Sequence, residues 1–266
     1  MKTLVMKFGG AAVASPEKFA CIADIIVEKK RLYDRIVVVV SAMGNTTNQL
    51  LELALQVHPT PPRREQDMLV SVGERISIAL LAMALHKKGE VAISFTGSQS
   101  GIITTSEHSD AKIVDVKPHR IHKALGEGKI VIVAGFQGVS REGEITTLGR
   151  GGSDTSAVAL AAALFAEKVE FYKDVGGVYS EDPKKNRRAV HYPRMSYQEA
   201  ADLMEKGAKV LHLRAVQLAE KNHIALHVLS FSSISQEHAL GTWICGPSEK
   251  SKVEKVAFEV GNNVVK

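Results

Sequence analysis

Cysteine is scarce in this chain of 266 residues, and the two that occur, Cys21 and Cys245, stand far apart without a paired spacing. Neither a zinc site nor a disulfide framework is therefore indicated. Aromatic residues make up only 5% of the chain and are not interleaved with basic clusters in any DNA-reading motif. This argues against a nucleic-acid partner, while the net charge of +5 suits anionic ligands such as nucleotides.

Long apolar runs are missing as well. No uninterrupted run approaches the ~18 residues of a membrane span, and Lys7 interrupts the apolar start too early for a signal peptide. A cytoplasmic protein without a membrane partner is the resulting expectation. The sequence also lacks a G-x-x-x-x-G-K-[ST] P-loop and a G-x-G-x-x-G turn after its first strand, which argues against a P-loop NTPase and a typical dinucleotide dehydrogenase.

What the sequence does contain is an alternation of short β-branched runs with longer helical patterns. Several runs, such as residues 36–40 and 130–133, are apolar at every position, which is typical of parallel strands covered by helices on both faces. The sequence therefore predicts an α/β fold, a three-layer α/β/α sandwich with a mostly parallel central sheet. The predicted strands are residues 3–8, 35–41, 91–95, 129–136, 168–172 and 224–230.

Helices are predicted from apolar periodicity and from terminal signals. Ser15 before Pro16 is typical of a helix start, and Ser196 with Glu199 has the spacing of a capping box. Four helices are predicted. The first begins near Pro16, the second and third cover about 65–86 and 153–168, and the fourth runs from Ser196 to a terminator at Gly207.

Two segments depart from this alternation. Glycines followed by a β-branched run predict that residues 135–147 form a β-hairpin ahead of the alanine-rich helix. From Ser248 onward the chain is charged and contains no complete element, so residues 246–266 are predicted to be a tail.

The first candidate site follows the first strand, where Lys7 precedes Gly9 and Gly10. Ligands of open α/β sheets bind beyond the carboxyl ends of the strands, so Lys7 stands at the expected mouth of a site. Glycines let backbone N–H groups approach a phosphate, and the helix starting near Pro16 would add a positive dipole end. An ordinary turn with a solvated lysine explains this motif equally well on its own.

The second candidate site is the segment 147–154, in which Arg150 lies among three glycines. Flexible backbone, the free N–H groups of a helix start and a guanidinium together suit a carboxylate or a phosphate. Ser153 or Asp154 could simply cap the following helix. Because that alternative leaves Arg150 unexplained, a binding function is favoured.

The third candidate site is the segment 173–183, which is polar and rich in glycine and follows the fifth predicted strand. It leaves the sheet where a nucleotide would lie. A plain surface loop explains this segment equally well by itself.

Across these and other segments the sequence resembles the aspartokinases of the amino acid kinase superfamily. The resemblance covers roughly residues 1–245 in an ordered series of motifs. These motifs are residues 7–10, 40–48, 71–74, 97–102, 135–138, 146–154, 207–212 and 241–244.

The resemblance implies a domain organisation. Residues 1–245 would form the catalytic domain, with the amino acid bound by its N-terminal part and the nucleotide by its part from about 150 to 245. The ACT regulatory domains of the family would begin near residues 252–266. We therefore expect no inhibition by lysine or threonine through domains of this chain.

The resemblance also implies an activity, the transfer of the γ-phosphoryl group of Mg-ATP to the β-carboxylate of aspartate, which gives an acyl phosphate. A carboxylate is already ionised at neutral pH, so positioning and charge neutralisation would supply most of the catalysis. By resemblance, Lys7 neutralises the transferring phosphoryl group and Asp154 organises the geometry of lysine and phosphate. No metal ligands are assigned, because the nucleotide carries the Mg²⁺.

Two sets of binding residues follow from the resemblance. Glu74 would face the ammonium of the amino acid, and Arg150 would face a carboxylate. The residues expected to hold the amino acid or line the phosphate path are Ser41, Thr47, Glu74, Arg150, Gly151, Gly152 and Ser153. The residues expected to contact the nucleotide are Lys7, Gly9, Gly10, Lys173, Asp174, Tyr179, Lys184, Lys209 and Val210.

Departures from the family pattern keep other functions open. Ala11 and Ala12 stand where the family usually has Thr-Ser, Lys173 where it has Thr, residues 176–177 where it has Asp-Gly, and Lys184 where it has Arg. The alternatives are a family kinase with a different small acceptor and a non-catalytic nucleotide-binding paralogue. A homodimer is expected, because family members pair through this domain.

Overall fold

Eight strands form the largest sheet of the protein, whose computed structural model describes residues 1–231, 241–246, 255–260 and 262–264. Within these residues the chain forms eight helices and sixteen strands. The helices are α1 Pro16–Lys30, α2 Thr46–Val57, α3 Arg63–Val70, α4 Val72–Lys87, α5 His119–Gly126, α6 Gly152–Ala163, α7 Tyr197–Glu205 and α8 Leu213–Lys221. The strands are β1 Thr3–Phe8, β2 Arg35–Val40, β3 Ala92–Phe95, β4 Ile102–Thr104, β5 Ile113–Val116, β6 Ile130–Ala134, β7 Gln137–Ser140, β8 Ile145–Thr147, β9 Lys168–Lys173, β10 Val178–Tyr179, β11 His191–Tyr192, β12 Arg194–Met195, β13 Ala225–Ser230, β14 Thr242–Ile244, β15 Lys255–Ala257 and β16 Asn262–Val264.

The main sheet has the order β12-β14-β13-β9-β1-β2-β6-β3. Every neighbouring pair in it is parallel except β13 with β14. In the centre, Lys7 of β1 lies opposite Val39 of β2 and Phe171 of β9. The apolar runs of β2 and β6 are buried along almost their whole length, as expected for parallel strands covered on both faces. The predicted mostly parallel sheet is confirmed.

Helices cover both faces of this sheet. On one face α1 and α4 bury Ile22, Ile26, Leu81 and Leu85 against it. On the other face α6 lies over β1 and β2 and packs against α8. The alanines of α6 let it lie close to the sheet, and almost all its residues are buried. The predicted three-layer α/β/α sandwich is confirmed.

Most predicted elements occur in the structure. The six predicted strands correspond to β1, β2, β3, β6, β9 and β13, each within two residues of the predicted ends. Helix α1 begins at Pro16 as predicted. The capping box of α7 is formed, because Ser196 Oγ accepts from Glu199 N at 3.2 Å and Glu199 Oε2 accepts from Ser196 N at 2.7 Å. Helix α7 ends shortly before Gly207.

Two helix predictions are corrected. The stretch 65–86 is not one helix, because Ser71 separates α3 from α4 and its carbonyl accepts a hydrogen bond from Gln137 Nε2 at 2.9 Å. The alanine-rich helix does not continue to 168 but ends with α6. By residue 167 the chain has joined the main sheet, where Glu167 N donates to Thr3 O at 2.9 Å. Tertiary hydrogen bonds set both helix ends.

A second, smaller sheet has the order β5-β4-β7-β8. Its strands β7 and β8 form the predicted antiparallel hairpin. Strand β4 pairs antiparallel with β5 and parallel with β7. The chain leaves this sheet at the end of β8 and continues into α6. Strands β4 and β5, like helices α2, α5 and α8, were not among the predicted elements.

The end of the chain differs from the prediction. The sequence predicts a segment without complete elements, but β15 and β16 form an antiparallel hairpin, and Val256 and Phe258 are buried in the same core as α6. The Asn222 side chain hydrogen-bonds the Ala257 backbone in both directions. Because these strands have only three residues each, their pattern was too short to recognise. Residues 247–254, within the predicted tail, lie outside the described residues.

Residues 63–87 are long and apolar enough to cross a membrane, judged by length and composition alone. The stretch contains no uninterrupted apolar run of that length, because Glu74 and Arg75 divide its apolar residues. Core helices of globular proteins have the same composition. In the structure the stretch is divided into α3 and α4, and α4 packs on the main sheet.

The second sheet generates a prediction about stability. Gly101 and Gly143 have similar positive φ values, +83° and +88°. A Cβ at Gly101 would lie 2.0 Å from the Lys117 carbonyl oxygen, whereas at Gly143 no described residue beyond the chain neighbours lies within 4 Å of a Cβ. Both alanine variants carry backbone strain of about 1–2 kcal/mol, and only Gly101→Ala adds a steric clash of about 1–3 kcal/mol. Urea unfolding should therefore show a larger fall in the free energy of unfolding for Gly101→Ala than for Gly143→Ala. An equal fall in the two variants would contradict the prediction.

Candidate active site

Four neighbouring parallel strands, β9, β1, β2 and β6, end at the same edge of the main sheet. Lys173 is the last residue of β9 and Lys7 the last but one of β1, while Ser41 and Gly135 directly follow β2 and β6. Ligands of open α/β sheets bind at this edge. The fold thus brings segments that are far apart in sequence to one place.

Lys7 and Asp154 form a buried ion pair at this edge. Lys7 Nζ lies 2.6 Å from Asp154 Oδ1, although the two groups are not aligned for a hydrogen bond. Burial disfavours the carboxylate, but the charges of Lys173 and Lys7 outweigh it and lower the pKa of Asp154 to about 2. Asp154 is therefore a fixed anion at neutral pH and unsuited to act as a general base.

A second lysine reaches the same carboxylate. Lys173 Nζ donates to Asp154 Oδ2 at 3.3 Å. Burial lowers the pKa of Lys173 to about 8; the charge of Asp154 opposes this fall and that of Lys7 adds to it. One carboxylate thus faces two ammonium groups, and the local excess of positive charge suits a phosphate.

The turn after β1 rests on the turn after β2. Gly44 N donates to Gly10 O at 3.1 Å, which holds the two turns together. Within the first turn, Ala12 N and Val13 N donate to Gly9 O at 2.9 and 3.3 Å. These two amides are thus already bonded inside the turn.

Glu74 lies in the first turn of α4 and is almost completely buried. Its Oε1 accepts from Ala42 N at 2.9 Å, whereas its Oε2 has no hydrogen-bond partner within the described part of the chain. Burial raises the pKa of Glu74 to about 7, against the hydrogen bond from Ala42 and the charge of Lys7. An unpaired buried carboxylate oxygen is suited to receive a cation such as a ligand ammonium.

The glycine-rich loop before α6 is shaped by a close contact. Gly151 has φ +72°, and a Cβ there would lie 2.1 Å from the His212 ring. No other residue fits in this position without displacing the ring. The neighbouring Arg150 is exposed, and among the residues that the structure describes it makes no hydrogen bond or ion pair. Its guanidinium is available to a ligand.

Helix capping does not account for the polar residues of this loop. The cap residue of α6 is Gly151, and Ser153 and Asp154 lie inside the first helical turn without a side-chain capping bond. Gly152 is the first helical residue, and Ser153 packs directly against Gly135. Both polar side chains are buried at the edge where the parallel strands end.

Asp67 supports the same loop and was not singled out in the sequence. Its carboxylate accepts from Thr147 Oγ1 at 2.6 Å and Thr147 N at 3.1 Å, from Ser109 N at 3.0 Å, and contacts His108 Nδ1 at 2.8 Å. A signal was available, because Asp67 shares the buried face of α3 with Val70. A charge on the buried face of a helix needs such partners.

Arg214 supports the loop from the other side and was also missed. Its guanidinium donates to Leu148 O at 2.6 Å and Ala111 O at 2.9 Å, and it pairs with Glu259 at 2.6 Å. Because these partners are distant in sequence, no local pattern could indicate them.

The residues expected to contact a nucleotide are only partly brought together. Lys173 belongs to the buried cluster, whereas Asp174 and Lys184 form an exposed ion pair with each other. Tyr179 lies tilted against the His191 ring, 4.9 Å away. Lys209 is exposed between α7 and α8.

Other expected residues take supporting places. Thr47 is half-buried in the first turn of α2, and Val210 packs against the core on the α6 side of the sheet. Within the described residues, no group of three or more His, Cys, Asp and Glu side chains could hold a metal ion.

Glu74 generates a prediction for stability against pH. Its pKa is about 7 in the folded protein and 4.5 ordinarily, so folding takes up a proton between these values and the free energy of unfolding falls as pH rises through them. At about 1.4 kcal/mol per pKa unit, Glu74→Gln should be more stable than the parent by about 3 kcal/mol at pH 8 and about 1 kcal/mol at pH 5.

Chemical denaturation at the two pH values checks this prediction. The matched control is Glu205→Gln at an exposed position, which should change the free energy of unfolding by less than about 0.5 kcal/mol at both. A stability gain of equal size at pH 5 and pH 8 would contradict the prediction.

The sequence is similar to those of known kinases. The aspartokinase of Mycolicibacterium smegmatis is 50% identical over 255 residues, which are 96% of this chain and 60% of that protein. The aspartokinase of Corynebacterium glutamicum is 50% identical over 259 residues, 97% of this chain and 61% of that protein. The chain thus spans about three fifths of the length of these curated relatives.

Solved structures agree with this similarity. Aspartate kinase from Synechocystis superposes with a TM-score of 0.81 at 43% identity, covering 94% of this chain and 40% of that one. E. coli aspartokinase III in complex with aspartate and ADP has a TM-score of 0.82 at 27% identity, covering 94% and 66%. UMP kinase from Ureaplasma parvum, at 19% identity and a TM-score of 0.66, shares the fold.

A family model agrees with these comparisons and covers most of the chain. The model described as Amino acid kinase family matches residues 2–230, which include every segment that reaches the cluster around Asp154. The chain therefore belongs to the amino acid kinase family.

Proposed function

We propose that this chain transfers the γ-phosphoryl group of ATP to the β-carboxylate of L-aspartate, which gives 4-phospho-L-aspartate and ADP. The observation that carries the proposal is the buried Lys7–Asp154 ion pair at the carboxyl edge of the sheet. It is supported by aspartokinase relatives that are 50% identical over nearly the whole chain, and by the similar E. coli aspartokinase III, which was solved with aspartate and ADP.

The reaction needs little help from a base. The aspartate β-carboxylate is ionised at neutral pH, so one of its oxygens attacks the γ-phosphorus as the bond to the β–γ bridging oxygen breaks and ADP leaves with the electron pair. Two anions must approach each other, and Lys7 neutralises the phosphoryl oxygens during that approach. Asp154, held ionised by its low pKa, lies 2.6 Å from the Lys7 ammonium and holds it in place at this edge.

The amino acid is bound by groups from the first turn of α4 and from the loop that leads into α6. The unpaired Oε2 of Glu74 receives its ammonium, and the free guanidinium of Arg150 receives its α-carboxylate in a bidentate pair. Ser41, Thr47 and Ser153 supply hydroxyl groups nearby. Gly151 and Gly152 have no side chains, so their backbone can approach the amino acid closely.

The nucleotide is bound on the β9 side, in the part of the domain from about residue 150 to 245. Lys7, Gly9, Gly10 and Lys173 contact the phosphates, and the Mg²⁺ carried by the nucleotide would neutralise part of the phosphate charge. The rest of the nucleotide lies along the segment after β9 and the segment before α8. The residues assigned there are Asp174, Tyr179, Lys184, Lys209 and Val210.

The proposal includes a cytoplasmic homodimer. Support for pairing comes from α4, which exposes Val72, Ile76 and Met83 on its outer side. Exposed apolar side chains along one helix are typical of protein–protein contacts. ATP and aspartate are both cytoplasmic metabolites, which is the basis for the location.

Removing Lys7 tests the proposed reaction. With ATP and aspartate, hydroxylamine should trap the acyl phosphate as a hydroxamate, and Lys7→Ala should reduce the rate of hydroxamate formation by at least about 10²-fold. The matched control is Lys129→Ala, at the opposite end of β6, which should keep the parent rate. ADP release without hydroxamate would indicate a different acceptor, and no ADP release with any amino acid would indicate a non-catalytic paralogue.

Replacing Arg150 tests the position of the amino acid. Arg150→Lys keeps the charge but loses the bidentate geometry, so the KM for aspartate should rise about 10-fold while the KM for ATP changes less than about 2-fold. Arg141→Lys, in the exposed turn between β7 and β8, is the matched control. A rise in the KM for ATP alone would indicate that Arg150 contacts the nucleotide and not the amino acid.

A further inference from the structure

The Asp154 carboxylate holds two lysines, one on each oxygen. Lys7 Nζ lies 2.6 Å from Oδ1 and Lys173 Nζ lies 3.3 Å from Oδ2. Two buried ammonium groups that share one ion-pair partner leave an excess of positive charge at this carboxylate, which an anion bound beside the lysines would offset. The arrangement is therefore prepared for an anion that touches both lysines.

The two lysines lie on the same face of neighbouring strands. Lys7 is opposite Phe171 in the β1–β9 register, and Lys173 follows Phe171 by two residues, which is the period of one strand face. Lys173 is consequently nearer the open edge of the sheet, and its side chain is 17% exposed against 6% for Lys7. An anion that enters from solvent meets Lys173 first and Lys7 deeper in the site.

Apart from the backbone of Gly9 and Gly10, the turn after β1 offers few hydrogen-bond donors to a phosphate. Ala11 and Ala12 offer no hydroxyl group, and the amides of Ala12 and Val13 are bonded to Gly9 O. A triphosphate that transfers its terminal group develops negative charge both on the γ-oxygens and on the bridging oxygen that leaves with ADP. One lysine can contact one of these positions closely, and a second lysine on the same carboxylate is placed to contact the other.

We propose that Lys173 is a second phosphate-binding cation of this site, whose ammonium contacts the leaving side of a nucleoside triphosphate while Lys7 contacts the transferring phosphoryl group. Asp154 fixes both ammonium groups, and no proton is transferred by Lys173. As the bond between the γ-phosphorus and the bridging oxygen breaks, the electron pair stays on that oxygen and Lys173 neutralises it. The kinetic effect of Lys173 rests on the proposed function. Its affinity for anions does not depend on that function.

The charge of Lys173 makes the site sensitive to alkaline pH. The groups that face its ammonium are Asp154 of α6, Lys7 of β1 and the adjacent Asp174, and its burial brings its pKa to about 8. Loss of its proton above that pH removes the second cation. Arginine at this position stays charged at every accessible pH.

Calorimetric titration with inorganic pyrophosphate tests the proposal without relying on turnover. Lys173→Met should bind pyrophosphate at least about 10-fold more weakly than the parent, and Lys173→Arg should bind within about 3-fold of it. The matched control is Lys185→Met at an exposed lysine, which should bind like the parent. Parent-like pyrophosphate affinity in Lys173→Met would overturn the proposal.

The pH profile of the kinase reaction gives the second measurement. The parent kcat/KM for ATP should fall as pH rises above about 8, and Lys173→Arg should lack this alkaline fall. An alkaline fall that persists in Lys173→Arg overturns the role of Lys173, and this variant decides the matter if Lys173→Met does not fold. If the parent makes no hydroxamate, the proposed reaction fails, while the pyrophosphate titrations still decide whether Lys173 binds phosphate.

Discussion

The ion pair between Lys7 and Asp154 is the constraint around which this site is arranged. It joins the central strand β1 to the first turn of α6, and it is buried between the layer of helices and the sheet. Taking two charges out of water is costly, and removing either partner of such a pair typically destabilises a protein by about 3–5 kcal/mol. The pair therefore ties the correct docking of α6 on the sheet to the assembly of the site.

Three tertiary supports hold the loop that leads into α6. Asp67 bonds Thr147 at its start, Arg214 bonds Leu148 next to it, and His212 lies against Gly151 at its end. These supports come from α3, α8 and the residue before α8. Arg150 is thereby presented to solvent from a loop whose ends are fixed, which limits the entropy lost when a ligand binds. The link from Arg214 to Glu259 also connects the end of the described chain to this loop.

The same site keeps charges that the fold does not neutralise. Glu74 is buried with one oxygen that has no partner among the described residues, and Lys173 shares its carboxylate with Lys7. Both arrangements destabilise the unliganded protein, and they would be relieved by a cation beside Glu74 and an anion beside Lys173. Stability and binding are thus opposed at these positions, as is usual where a site is preorganised.

The sequence alone determined the layer architecture and the position of Lys7 at the carboxyl edge of the sheet. The β-branched runs predicted six strands and their parallel pairing, because burial on both faces removes polar positions. The motif around Arg150 indicated a binding loop, and the resemblance indicated Lys7, Glu74 and Asp154 as site residues. Only the tertiary structure decided the break at Ser71 and the second sheet, because hydrogen bonds between residues distant in sequence leave no local period. For the same reason, the attachment of Lys173 to Asp154 depends on which strands become neighbours, and that is settled by folding.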